Sequence, residues 1–262
     1  MIEQNEPIKL FWTGGWDSTF RFIQLLLLHK LVVQPYYIID PGRNSTLLEI
    51  RAMINIKKAL VAIKPEIKHL ILPTIYKELN QIGKNEDIAK SYKSLTLVES
   101  IGIQYKWLAQ FCDDEGINDI EISNETAIFD EDNRTRKLLG DDLERLETER
   151  GVYYKLNERC KDSDKYKLYG HFIFPVFDYT KFDMIEICKK QGTFNVMEIT
   201  WFCHSPDSNN KPCGKCHPCR TVYREGLSWR LPLSAKLRYY TWPVLKKVAK
   251  SLRLIPQSNM DH

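Results

Sequence analysis

An α/β chain built on an open, doubly wound parallel sheet is the fold class that this sequence predicts, ending in a cysteine-rich loop and one extra C-terminal helix. Three observations predict it: apolar runs that alternate with helical patterns, a glycine pair where the first strand should hand over to a helix, and four closely spaced cysteines far downstream. Strand–helix alternation puts consecutive strands side by side and in parallel, with helices on both faces.

Strands fit residues 8–12, 33–39, 69–72 and 119–122. Helices fit residues 18–29, 46–63, a stretch ending near Asp114, and 180–191. In open sheets of this kind ligands lie beyond the carboxyl ends of the strands. Thr13, Asp40, Ser123 and Asn124 each follow a strand and should share that rim. Residues 1–200 are read as the α/β body, with a charged insertion at 130–170, residues 201–226 as the cysteine loop, and residues 227–262 as a helical extension. Leu237-Arg238-Tyr239-Tyr240 and Val244 to Val248 suggest a basic amphipathic helix there. It is expected to pack on the body, and a protein-partner surface is the sharper alternative.

The first junction reads Thr13-Gly14-Gly15-Trp16-Asp17-Ser18-Thr19. Glycines let the backbone turn tightly and approach a ligand, and the first N–H groups of the next helix lack intrahelical partners. This is an anion cradle, to which Thr13, Ser18 and Thr19 add hydroxyls. Asp17 can cap the helix or hold a divalent cation such as Mg²⁺, so a nucleotide phosphate chain is the natural guest. Neither Gly-x-x-x-x-Gly-Lys-Ser/Thr nor Gly-x-Gly-x-x-Gly occurs. Asp40 at the same rim could serve a ribose or the cation, or start the turn into Pro41. Lys181, at a helix start, could meet a phosphate.

Cys203, Cys213, Cys216 and Cys219 follow the pattern Cys-x9-Cys-x2-Cys-x2-Cys on a loop rich in Pro, Gly and Asn. Four thiolates so spaced can surround one zinc ion at about 2.3 Å each, leaving no open position for water, so the metal would be structural. An iron–sulfur cluster is the alternative. Disulfides are disfavoured, because Met-Ile-Glu-Gln-Asn-Glu-Pro is neither basic nor apolar and a reducing cytoplasm is the expected setting. Cys112, Cys160 and Cys188 are read as structural thiols.

Thr-Gly-Gly-x-Asp-Ser-Thr resembles the Ser-Gly-Gly-x-Asp-Ser signature of the PP-loop ATP pyrophosphatases, an adenine nucleotide alpha hydrolase-like fold, with Thr13 keeping the first hydroxyl. Thr200-Trp201-Phe202-Cys203 with Pro212-Cys213-Gly214-Lys215-Cys216-His217-Pro218-Cys219 further resembles the 7-cyano-7-deazaguanine synthases. Ile39-Asp40-Pro41-Gly42-Arg43 with Glu49, and Pro175 to Lys181, look like further segments of that family. The resemblance implies ATP binding at Thr13, Gly14, Gly15, Asp17, Ser18, Thr19 and Asp40. It implies a catalytic group of Asp17, Ser18 and Lys181, with Mg²⁺, a Zn²⁺ held by the four cysteines, and a homodimer as one assembly.

The reaction implied is adenylation of the carboxylate of 7-carboxy-7-deazaguanine, followed by attack of ammonia and conversion to the nitrile. The chain departs from the family in its middle. Gly102-Ile103-Gln104-Tyr105 stands where the family has Gly-Arg-Asn, no Tyr-Pro-Asp-Cys-Arg follows Asn124, and Val222 replaces an Arg. Three alternatives stay open: conjugation of the activated deazaguanine to an amine on a protein partner, as in phage-defence branches; a nucleic-acid thiolase with an iron–sulfur cluster; and a nonenzymatic ATP-binding scaffold. At 262 residues, 43% hydrophobic and a formal charge of +4, the chain can bury one sizeable core and neither demands nor excludes nucleic acid. Its apolar runs fall short of the roughly 20 residues that span a bilayer, so no membrane is expected.

Overall fold

The computed structural model describes residues 6–125 and 134–251, with side chains through Trp242. Five parallel strands form the central sheet in the order β3-β2-β1-β4-β7. They are β1 (Ile8–Phe11), β2 (Val33–Ile39), β3 (Ile75–Glu78), β4 (Ile120–Glu121) and β7 (Phe172–Ile173). The open, doubly wound parallel sheet is therefore as the alternation predicts.

Side chains of successive strand residues point to opposite faces. Leu10 belongs to one buried cluster and Phe11 to the other, so β1 separates two cores. Trp12, Phe20, Phe22, Met53, Ile56 and Met184 fill the first, joining α1 (Trp16–Ile23), α2 (Thr46–Ile63) and α7 (Lys181–Lys190). Ile88, Leu108, Phe111, Tyr169 and Phe172 fill the second, joining α3 (Glu86–Thr96), α4 (Gln104–Asp114) and α6 (Asp164–Tyr169). Cys112 and Cys188 are fully buried, and Cys160 donates to Asp142 Oδ1 at 3.3 Å, as structural thiols should.

The third strand departs from its expected place. Residues Pro65–Leu70 form a 3₁₀ turn, Ile71 makes only a single bridge to Val33, and Pro73 interrupts before pairing resumes at Ile75. Proline supplies no N–H to a ladder, so the strand begins two residues beyond it. The charged insertion holds α5 (Arg134–Leu139) and an antiparallel hairpin, β5 (Leu143–Thr148) with β6 (Gly151–Leu156), which sequence reading did not resolve. One buried pair ties these parts together. Arg21 of α1 donates to both carboxylate oxygens of Glu121 on β4 at 2.7 and 2.8 Å and to the Arg150 carbonyl in the hairpin turn at 2.9 Å.

β1 lies between β2 and β4, so the chain leaves its carboxyl end toward α1 at the point where strand order reverses. That reversal opens a crevice, where ligands of such sheets bind. Past α8 (Phe194–Glu198) the cysteine loop crosses the crevice, and α9 (His217–Arg224) and α10 (Leu233–Ser251) follow. Ala235 of α10 is fully buried, and Arg238 Nε donates to the Cys213 carbonyl at 2.8 Å. The first half of α10 thus packs on the body; the side chains of Val244 to Val248 lie outside the described residues. None of the described helices is long and apolar enough to cross a membrane.

Candidate active site and metal centre

The glycine loop is held from two sides. Gly14 has φ +69°, and a Cβ there would come within 3.0 Å of Met53 Cγ and 3.1 Å of the Glu49 carbonyl, so the loop lies directly on α2. Its carbonyl accepts from Trp201 N at 3.0 Å, which fastens it to the segment entering the cysteine loop. Gly15 caps α1 without a side chain, leaving the first N–H groups of that helix facing the crevice.

A cavity of about 340 Å³ opens over this helix start, lined by Thr13, Gly15, Asp17, Ser18, Asp40, Ser123 and Asn124. The rim residues that the sequence places after separate strands do come together. Phe11, Tyr36, Ile38, Trp107, Leu108 and Ile122 form an apolar wall on the same cavity, which suits a flat aromatic base. The hydroxyls of Ser18 and Ser123 are shielded from solvent and have no hydrogen-bond partner among the described residues. Buried polar groups are normally paired, so two orphaned hydroxyls on one cavity mark a place where a ligand completes the bonding. Asp40 also does the work of a turn residue, because its Oδ1 accepts from Gly42 N at 2.9 Å. Thr19 does not join them. It is fully buried and its Oγ1 accepts from Trp12 Nε1 at 3.1 Å, fixing α1 to β1 and lining none of the cavities described here.

Lys181 sits behind Asp17. Its side chain is only 9% exposed, and its ammonium donates to Asp17 Oδ1 at 2.8 Å and to Glu125, with Glu225 3.9 Å away. Burial alone would lower the Lys181 pKa, but the carboxylates of Asp17, Glu125 and Glu225 outweigh it and hold the ammonium charged. Burial and the neighbouring Asp17 charge push Glu125 up to about 9, against the opposing pull of Lys181. Two further cavities, of about 390 and 260 Å³, meet the first at Asp17. The larger runs past Tyr105, Thr135 and Glu225, and the smaller past Arg43, Trp201, His204 and His217.

Arg230 braces the entry from outside the motif. Its guanidinium lies 4.6 Å from the Trp16 ring and 4.7 Å from the Phe202 ring and donates to the Thr200 carbonyl at 2.8 Å. Burial lowers its pKa to about 10. Trp16, Glu125, Glu225 and Arg230 escape sequence reading. Trp16 fills the variable position of the motif, Glu125 directly follows the rim pair Ser123-Asn124, and Glu225 and Arg230 have no local signal at all.

The sulfurs of Cys203, Cys213, Cys216 and Cys219 all lie within 4.8 Å of one another. Two of these separations, Cys213 to Cys219 and Cys203 to Cys216, are 3.9 Å. Sulfurs about 2.3 Å from a tetrahedral zinc would be about 3.8 Å apart, so the cage has the size of one such ion. A multi-iron cluster would spread its ligands further. Backbone N–H groups of Cys213, Lys215 and Cys216 point at the sulfurs from 3.2 to 3.3 Å, as expected where thiolate charge must be shared. The four residues could thus hold a metal such as zinc.

Residues 155–227, from the end of the hairpin through this cage, match the protein family described as Queuosine biosynthesis protein QueC. Over these residues, somewhat more than a quarter of its length, the chain is similar to that family. A 7-cyano-7-deazaguanine synthase from Prochlorococcus marinus (strain MIT 9515) is 32% identical over 78 residues, which cover 30% of this chain and 31% of that relative. The QueC-like stretch contains Lys181, Trp201, the four cysteines, His204, His217 and Glu225, so it supplies one wall of the crevice. The glycine loop of the opposite wall lies outside the matched residues.

Proposed function

We propose that the chain is an ATP-dependent synthase that adenylates the carboxylate of a 7-carboxy-7-deazaguanine and lets ammonia displace AMP. The observation that carries this reading is the convergence at Asp17 of three things: the helix start behind Gly15, a cavity with orphaned Ser18 and Ser123 hydroxyls, and a QueC-like wall. The apolar wall receives the adenine, and Thr13, Gly15 and the α1 N-terminus receive the phosphates. The substrate carboxylate enters from the cavity beyond Asp17, so that its oxygen can approach the α-phosphorus in line with the departing pyrophosphate.

Catalysis of this kind rests on stabilising charge on the leaving group rather than on a covalent nucleophile. Mg²⁺, when bound, neutralises phosphate charge, and the Asp17 carboxylate is the residue that would hold it. Lys181 donates to Asp17 Oδ1 and to Glu125, which fixes the orientation of the Asp17 carboxylate. The cysteine cage has no open position, so its metal holds the wall in place and takes no part in bond making. A second ATP would activate the amide oxygen and yield the 7-cyano product.

Pyrophosphate exchange into ATP tests the reading. Label should appear in ATP only when 7-carboxy-7-deazaguanine is present, and free nitrile should accumulate once ammonium is added. Exchange that ignores the carboxylate would refute the proposal. Exchange without nitrile would retain the adenylation and assign the second step to another amine, such as one on a protein partner.

A further inference from the structure

The cysteine loop carries two imidazoles that its metal cage does not need. His204 follows Cys203, His217 follows Cys216, and four sulfurs already close a tetrahedral shell. Both imidazoles line the 260 Å³ cavity, together with Thr13, Gly15, Arg43 and Lys181. His204 and Arg43 also line the 340 Å³ cavity, so the two spaces are continuous along the glycine loop. One end of this continuous space is apolar, and the other sets N–H-bearing groups and the cations Arg43 and Lys181 beside the carboxylates of Asp17, Glu49 and Glu125.

Two helices start at the second end: α1 at Trp16 and α9 at His217. Helix N-termini present unpaired N–H groups and a partial positive charge. A separate observation points to a ligand here. Trp16 is only 4% exposed, lines this cavity, and its Nε1 has no acceptor among the described residues. An indole N–H, imidazoles, a guanidinium and two helix starts call for an oxyanion with several acceptor oxygens. The carboxylates on the same wall are already engaged: Glu49 by Tyr37, Ser45 and Arg43, and Asp17 and Glu125 by Lys181.

We propose that His204 and His217 hold the β,γ-phosphate end of ATP and the pyrophosphate that leaves it, which makes the metal loop part of the nucleotide site. The proposal rests on the adenylation reading and extends it: the loop that bears the four cysteines also contributes to pyrophosphate affinity. AMP, which lacks these two phosphates, should not sense the imidazoles.

Calorimetric titration of the full metal-loaded chain with pyrophosphate and, separately, with AMP tests this. The double variant His204→Ala/His217→Ala should lose at least tenfold in pyrophosphate affinity, with AMP affinity, metal content and melting temperature unchanged. The variant His204→Gln/His217→Asn, which keeps a side-chain N–H at each place, should recover part of the loss. Pyrophosphate affinity within twofold of wild type in the alanine variant would overturn the proposal. So would a parallel loss of metal or of AMP affinity, because the imidazoles would then be structural. A wild-type protein that binds neither AMP nor pyrophosphate would instead remove the adenylation reading beneath it.

Discussion

Gly214→Ala tests how firmly the metal loop is tied to the C-terminal helix. Gly214 has φ +74°, and a Cβ there would lie 2.1 Å from the Ala235 carbonyl oxygen and 2.7 Å from its carbon. No flexible side chain can give way, because the obstacle is the backbone of α10, itself anchored by buried Ala235 and by Arg238 on the Cys213 carbonyl. Left-handed backbone costs a non-glycine residue roughly 1–2 kcal/mol. Overpacking against backbone adds about 1–3 kcal/mol. Taking about 3 kcal/mol in total, and about 2–4 °C of melting temperature per kcal/mol for a chain of this size, the variant should melt about 9 °C below wild type. Gly192→Ala is the control: Gly192 also has positive φ, at +69°, but nothing lies within 4 Å of its Cβ position. It should lose about 1 kcal/mol, or about 3 °C, from strain alone. Differential scanning fluorimetry, with zinc determination on the same samples, reads both. Equal melting temperatures for the two variants would refute the docking of α10 on the loop.

Other expectations follow from single contacts. Cys216→Ser removes one of four sulfurs and should lower both metal content and melting temperature, since metal binding contributes folding free energy; full metal content would contradict the cage. Asp17→Asn should abolish carboxylate-dependent pyrophosphate exchange while leaving circular dichroism unchanged, and unaltered exchange would remove Asp17 from catalysis. Glu121→Gln leaves the buried Arg21 guanidinium without its counter-charge and should cost about 3–5 kcal/mol in urea unfolding. Glu125, held up at about 9 from an ordinary 4.5 by burial and by Asp17, keeps its proton in the folded state where the unfolded chain has lost it. Its contribution to stability therefore falls as pH rises from about 4.5 to about 9. Glu125→Gln should flatten the decline of melting temperature between pH 6 and 9, and a decline as steep as wild type would contradict the shift.

Local pattern carried much of the fold into the sequence. The strand at residues 8–12, the glycine turn and the helix after it are contiguous, so their apolar spacing and turn chemistry can be read without knowing the rest. α2 was legible to the residue for the same reason, and the cysteine cage because its four ligands sit on one short loop. β3 was displaced because Ile71-Leu72 looks like a strand start, while Pro73 moves the ladder onward. The β5–β6 hairpin was hidden because most of its residues are half-buried and charged residues interrupt apolar alternation in β5. Thr19 shows the opposite error, since it stands inside the motif yet faces the core. Glu125, Glu225 and Arg230 meet around Asp17, Lys181 and Trp16 only after the chain folds, from positions as much as 214 residues apart, and no spacing rule announces them.

The central claim, attack of a substrate carboxylate on the α-phosphorus of ATP, is tested most directly by isotope transfer. 7-Carboxy-7-deazaguanine labelled with heavy oxygen in its carboxylate would be turned over with ATP, Mg²⁺ and ammonium, and the AMP weighed by mass spectrometry. The account predicts AMP carrying one heavy oxygen. Product formed with unlabelled AMP, or with ADP in its place, would contradict it.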